Sequence, residues 1–180
     1  MNTTKPISTP SGPSWATSCK MRMEPGSHLP DPRPAPGKRI GIVVSRFNAE
    51  VTTEMLEGCR GALAERGIPS ESVDVYWVPG AWELPQVARR VAAESLHDAI
   101  IAIGCVIRGE TPHFDFVSAE ASQGLGAVAR TLDVPLLFGV LTTDTQEQAW
   151  TRACREAGNK GLDLAWSALH MIALYDGLEG

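Results

Sequence analysis

No stretch of this chain approaches the ~20 consecutive apolar residues that a membrane helix needs. Positive charge is also short. The 16 Lys and Arg stand against 21 Asp and Glu, a formal net charge of −5 and a pI of about 5.4. A phosphate backbone calls for a basic surface, so nucleic acid is excluded as the main partner. Cysteine is sparse: Cys19, Cys59, Cys105 and Cys154, none of them in a C-x-x-C pair. Such residues read as small buried hydrophobes in a reducing compartment, with no disulfide framework. The histidines His28, His97, His113 and His170 form no H-x-x-x-H pair and no His/Cys cluster, which excludes a metal site of the usual spacing. There is no G-x-x-x-x-G-K-[ST] phosphate loop. Gly124-Leu-Gly126 falls inside a predicted helix rather than after a strand, so it is no dinucleotide fingerprint.

What is present falls into two parts. Residues 1–37 hold eight of the 13 prolines, with many Ser, Thr and Gly and few large apolar side chains. A segment of that kind buries too little surface to offset its ordering entropy, which predicts a disordered tail. It has no apolar core of a secretory signal. The cytoplasm is the expected location, with plastid targeting by this Ser/Thr-rich tail as the alternative. Residues 38–180 form the expected single domain. Predicted strands at 39–45, 73–78, 99–107 and 134–141 alternate with predicted helices at 48–66, from Pro85 onward, and at 114–130. Asn48 is a candidate N-cap and Gly67 a candidate C′ residue. Val87, Val91 and Leu96 mark the inner side of the second helix. Thr145-Gln-Glu-Gln148 has the capping-box pattern, opening a helix to Ala157, and a last helix ends near Leu174. This order is that of an α/β fold with parallel strands and right-handed crossovers.

Each strand ends in an unusual cluster, and in open α/β sheets ligands bind beyond the carboxyl ends of the strands. The first cluster carries Phe47, which can stack on a planar ligand or pack under a loop. The second is Gly80-Ala81-Trp82-Glu83, suited to a flat ring bearing hydroxyls, or else a turn whose Glu83 stabilises a helix N-terminus. The third, residues 108–113, is the most pointed. A buried isoleucine-rich run ends in Arg108, Gly109, Thr111 and His113: a cation, a flexible glycine, a hydroxyl and an imidazole. Together these can hold an anion and move a proton. Taken alone, His113 also fits an exposed loop histidine. Arg152 and Lys160 offer phosphate contacts or a solvated helix face. The fourth cluster is Thr142-Thr-Asp-Thr145.

Five motifs then carry a resemblance. They are Ser-Arg-Phe-Asn at 45–48, Val-Pro-Gly-Ala-Trp-Glu-Leu-Pro at 78–85, Val-Ile-Arg-Gly-Glu-Thr-Pro-His-Phe-Asp at 106–115, Phe-Gly-Val-Leu-Thr-Thr-Asp-Thr at 138–145 and Ala-Gly-Asn-Lys-Gly at 157–161. In this order and spacing the chain resembles the lumazine synthases over residues 38–175. The resemblance implies a flavodoxin-like three-layer sandwich around a four-stranded parallel sheet. It implies condensation of 5-amino-6-(D-ribitylamino)uracil with 3,4-dihydroxy-2-butanone 4-phosphate to 6,7-dimethyl-8-ribityllumazine, a transferase step of riboflavin biosynthesis, with no metal or organic cofactor. Carried over, Phe47 stacks on the pyrimidine, Ala81, Trp82 and Glu83 hold the ribityl side, and Cys105, Val106 and Ile107 line the pyrimidine edge. Glu110 and Thr111 flank the butanone phosphate, His113 transfers protons, Arg152 pairs with the phosphate and Lys160 sits nearby. Phe138 arrives from a neighbouring subunit.

The implied assembly is a homo-oligomer, a pentamer or a shell of sixty subunits, with riboflavin synthase as a further partner. Members commonly carry Gly-Thr-Lys after the position of Arg152. Here that region is Ala153-Cys-Arg-Glu-Ala157, so Arg155 is expected to take over local charge.

Overall fold

The computed structural model describes residues 32–178. Four strands, β1 (Ile40–Ser45), β2 (Val73–Val78), β3 (Ala99–Ile107) and β4 (Leu136–Thr143), form one sheet in the order β2-β1-β3-β4. All three pairings are parallel. Three helices connect them, α1 (Ala49–Glu65), α2 (Leu84–Ala93) and α3 (His113–Ala129), and α4 (Gln146–Ala153) and α5 (Lys160–Leu178) follow β4.

The two-residue period of the strands sorts the core into two layers. Ile40, Ile42 and Val44 of β1, with Ala99, Ile101, Ile103 and Cys105 of β3, face α1, α4 and α5 through Met55, Cys59, Leu63, Ala149 and Leu169. Val43, Ile100, Ala102 and Val106 face the other way, onto Leu84, Ala88 and Val91 of α2 and Ala121 and Leu125 of α3. β1 and β3 are central and buried on both faces, which is why they read as unbroken apolar runs. The three-layer α/β sandwich is as expected.

Local differences have physical reasons. Asn48 stands at the N-cap position of α1, but its side chain makes no capping bond. The backbone there is left-handed, with φ 59°, a conformation asparagine tolerates better than most residues. Its Nδ2 instead donates to the Cys105 carbonyl at 2.9 Å. Gly67 does end α1 as expected, with φ 87° and its N–H on the Ala64 carbonyl. Leu96 is not on the inner side of α2: the helix ends at Ala93 and Leu96 is exposed. β4 lies two residues later than predicted because Ile100 donates to the Pro135 carbonyl and pairs with Leu136. A shift of two preserves which residues face which layer. α4 stops at Ala153, and Cys154, in extended conformation, precedes a 3-10 turn at Arg155–Ala157. α5 runs to Leu178. Cys59 and Cys105 are buried free thiols, and Cys154 is buried at the end of α4.

Residues 1–31 of the predicted tail lie outside the described residues. Residues 32–37 form no helix or strand, yet they lie on the domain: Ala35 packs against the core and donates its N–H to the Arg66 carbonyl at 3.0 Å. Stiff proline-rich backbone has little entropy left to lose on such docking.

Candidate active site

The chain runs from β1 to β2 on one side and then returns past β1 to β3 on the other. The crevice at that reversal is where an open α/β sheet binds ligands. A cavity of about 580 Å³ opens there, lined by Phe47 from the end of β1, residues 79–83 after β2, Cys105, Val106 and Ile107 at the end of β3, and Gly109, Thr111 and His113 beyond them.

Backbone bonds lock its rim. After β1, the N–H groups of Arg46 and Phe47 donate to the carbonyls of Val78 and Pro79 at 2.8 and 3.1 Å, tying the first loop to the second. The Thr52 hydroxyl donates to the Ser45 carbonyl at 2.8 Å. With Asn48 held on Cys105, Phe47 is left standing free, 71% exposed. After β2, Gly80 enters a 3-10 turn, Ala81–Glu83, that leads into α2. Glu83 Oε2 accepts the Gly80 N–H at 2.9 Å. Glu83 thus braces the turn at the start of α2, as one reading of the sequence expects, and it also lines the cavity. Ala81 is buried and Trp82 half-exposed.

The Cys105 thiol is pushed up to about 12 by burial. It therefore stays protonated near neutral pH and serves as wall rather than nucleophile. Thr111 and His113 are exposed at the other end of the cavity, His113 as the first residue of α3. Phe114 and Val117 also line it. Neither carries a functional motif in the sequence, although Val117 stands four residues beyond His113, a spacing that puts both on one helix face.

Three sequence expectations come out differently. Arg108 does not line the cavity as a free cation. Its Nε donates to Asp144 at 2.9 Å, its Nη1 to Asp115 at 3.2 Å, and its guanidinium lies 4.1 Å from the centre of the Phe114 ring. These carboxylates, Asp144 first, hold its charge more firmly than in a free arginine. The cluster after β4 does not reach the cavity either. Thr145 caps α4 by accepting the Gln148 N–H at 3.1 Å, while Gln148 Oε1 accepts from Asp144, not Thr145. Arg155 does not stand in beside Arg152, for it pairs with Glu54 at 3.4 Å.

The remaining candidates lie elsewhere on the chain. Glu110 is exposed and outside the cavity lining. Phe138 and Lys160 line a different cavity of about 220 Å³, between β4 and α5, where Lys160 Nζ pairs with Asp163 at 2.7 Å. Arg152, on α4, donates to the Gln148 carbonyl of its own helix at 2.8 Å and has no carboxylate partner among the described residues. One chain thus gathers Phe47, Ala81, Trp82, Glu83, Cys105, Val106, Ile107, Thr111 and His113, but not Phe138, Arg152 or Lys160.

Comparison with known proteins agrees with this geometry. The family model for 6,7-dimethyl-8-ribityllumazine synthase matches residues 37–176. The 6,7-dimethyl-8-ribityllumazine synthase of Gemmatimonas aurantiaca is 50% identical over 140 residues, covering 78% of this chain and 85% of that protein. The match spans the whole sheet and all the strand-end loops that build the cavity, and on that ground the chain belongs to the 6,7-dimethyl-8-ribityllumazine synthase family.

Proposed function

We propose that the 580 Å³ cavity is where this chain carries out its family's reaction, the condensation of 5-amino-6-(D-ribitylamino)uracil with 3,4-dihydroxy-2-butanone 4-phosphate to 6,7-dimethyl-8-ribityllumazine, with loss of phosphate and water. One observation carries the assignment of roles: a cavity with a mostly apolar lining also holds a hydroxyl and an imidazole near the start of a helix. The pyrimidine lies against Phe47 and the end of β3, and the ribityl chain lies along Ala81, Trp82 and Glu83. The phosphate sits by Thr111 near the positive end of α3. Attack of the amine on the ketone gives an imine and expels one water. Phosphate then leaves, and ring closure expels a second water. Holding the two substrates together supplies much of the acceleration. His113, beside the reacting carbons, relays the protons.

On this reading Phe138, Arg152 and Lys160 belong to the site of a neighbouring copy. The surface supports an assembly. Phe116 on α3 and Phe138 on the edge strand β4 are 67% and 49% exposed. Only Ala121 and Leu125 of the 17-residue α3 are buried. Apolar surface of this kind marks association. A ring of identical head-to-tail contacts, as in a pentamer, would pair one copy's open cavity with the next copy's 138–160 face. The cytoplasm is the compartment on this reading.

The test is direct. Purified protein mixed with both substrates should release phosphate in step with the appearance of lumazine absorbance, and light scattering should report a ring of several subunits. No turnover, or a monomer that turns over fully, would overturn the reading.

A further inference from the structure

We propose that Arg108 is a positioning residue for His113: a strap that fixes the first turn of α3 to the loop after β4. The inference rests on the reading of His113 as the proton-transferring group and deepens it. The observation behind it is that Arg108, which the sequence offers as an anion ligand, is engaged by two carboxylates and a ring instead. A free arginine beside a phosphate subsite would be expected to point at the anion. Arg108 does not border the cavity, and its side chain is engaged by Asp144, Asp115 and the Phe114 ring.

The geometry is specific. The Arg108 N–H donates to the Thr143 carbonyl at 2.8 Å, continuing the β3–β4 ladder one residue past the sheet. From that anchored backbone the side chain spreads over three fixed points. Nε reaches Asp144 on the loop after β4, and Nη1 reaches Asp115 in the first turn of α3. The guanidinium plane covers the ring of Phe114, which itself lines the cavity. Asp115 and Phe114 are the two residues that follow His113. Their carboxylate and ring are therefore held from a strand end, while His113 is left with no side-chain partner among the described residues. His113 is exposed, and an exposed imidazole at a helix start has no packing to fix it. The strap supplies the missing constraint. It also gives the fourth strand-end cluster a role, since Asp144 is its contribution to a site it does not touch.

All three ionic partners are about half-exposed or more. Pairs of that kind add little to global stability. The strap therefore acts on geometry rather than on folding, and this separates it from a general structural role. A misplacement of the reacting group by about 1 Å can cost on the order of 100-fold in rate. A small local shift is thus amplified in turnover while the melting temperature stays put.

The experiment is a double-mutant cycle on the full chain, with kcat, KM for each substrate and Tm measured for every variant. Lysine keeps the charge of Arg108 but loses its planar fork and its stacking. Arg108→Lys should lower kcat by roughly 10-fold, within the range of positioning effects, with KM for both substrates within about twofold. Tm should move by no more than about 2 °C, the signature of a minor stability change. Asp144→Asn cuts the same strap from the other side and should lower kcat in the same direction. In a His113→Ala background, Arg108→Lys should cost no further kcat, because it acts only through the missing imidazole. Equal losses from Arg108→Lys with and without His113 would overturn the strap, as would a loss confined to KM for the butanone phosphate, which would make Arg108 a phosphate ligand. If Arg108→Lys fails to fold, Asp144→Asn runs through the same cycle under the same criteria. A His113→Ala protein with undiminished kcat would instead remove the underlying reading of His113, and the strap with it, an outcome distinct from additivity.

Discussion

Two glycine-containing polar motifs of this chain look alike on paper: Arg-Gly-Glu-Thr-Pro-His at 108–113 and Gly-Asn-Lys-Gly at 158–161. In the fold they are opposites. The second is closed. Asn159 is 3% exposed, its Nδ2 donates to the Glu54 carbonyl of α1 at 2.8 Å, and its Oδ1 accepts the Gly161 N–H at 2.7 Å. Gly161 lies so near α1 that an added Cβ would collide with the Met55 carbonyl oxygen. The first motif, past the tethered Arg108, is open. Nothing lies within 4 Å of where a Cβ on Gly109 would stand, and Thr111 and His113 are exposed on the cavity rim. Polar groups that satisfy one another hold two helices together, and polar groups left unsatisfied are available to a ligand. The difference lies in what faces the motif, which no local pattern reports.

Substitutions should separate the two motifs cleanly. The largest effect is expected at the open one. His113→Ala should lower kcat by roughly 100-fold or more, within the usual range for a lost acid/base group, with little change in Tm or in pyrimidine binding. Steady-state kinetics beside a melting curve decides this, and an unchanged kcat would reduce His113 to a loop residue. Next comes the closed motif. Gly161→Ala should destabilise the fold by about 3 kcal/mol, at the upper end of overpacking effects, because the obstacle is backbone rather than a movable side chain. Urea unfolding would show it, and a stability loss below about 0.5 kcal/mol, the scale of neutral surface changes, would mean the helices separate at no cost.

Arg152→Ala should raise KM for the butanone phosphate by roughly 10- to 100-fold, the ~1.5–3 kcal/mol of a lost charge-assisted bond. Pyrimidine affinity should be nearly intact, and equal weakening of both substrates would place Arg152 in assembly instead. The smallest effect belongs to the glycine of the open motif. Gly109→Ala should change stability by less than about 0.5 kcal/mol, because its backbone is not left-handed and the space is free. A loss like that of Gly161→Ala would erase the contrast.

Much of this was legible in the chain. The isoleucine-rich β3 ends at Ile107 as predicted, because a run buried on both faces announces itself by composition, and β2, a half-buried edge strand, spans the predicted 73–78 through its β-branched and aromatic residues. The loops after three strands meet at one cavity, as the parallel topology requires. What could not be read was pairing at a distance. Arg108 looks like an anion ligand until Asp144, 36 residues away, is seen to hold it. Asn48 looks like a cap until its amide is found on Cys105, 57 residues on. Helix caps and cations announce their chemistry but not their partners. Phe138 and Lys160 open onto a cavity separate from that of His113, so the sharing of one site between copies is a proposal that the fold of one chain does not test.

That last point carries the central claim, that a working site takes one half from each of two copies. Mixing two inactive proteins tests it most directly. His113→Ala spoils the cavity half and leaves the 138–160 face intact, whereas Arg152→Ala combined with Lys160→Ala does the reverse. After dissociation and joint reassembly in equal amounts, activity should return to about one quarter of the wild-type rate, the fraction of head-to-tail contacts at which both halves are intact. Activity that stays at the level of the separate variants, although light scattering shows mixed oligomers, would contradict the shared site.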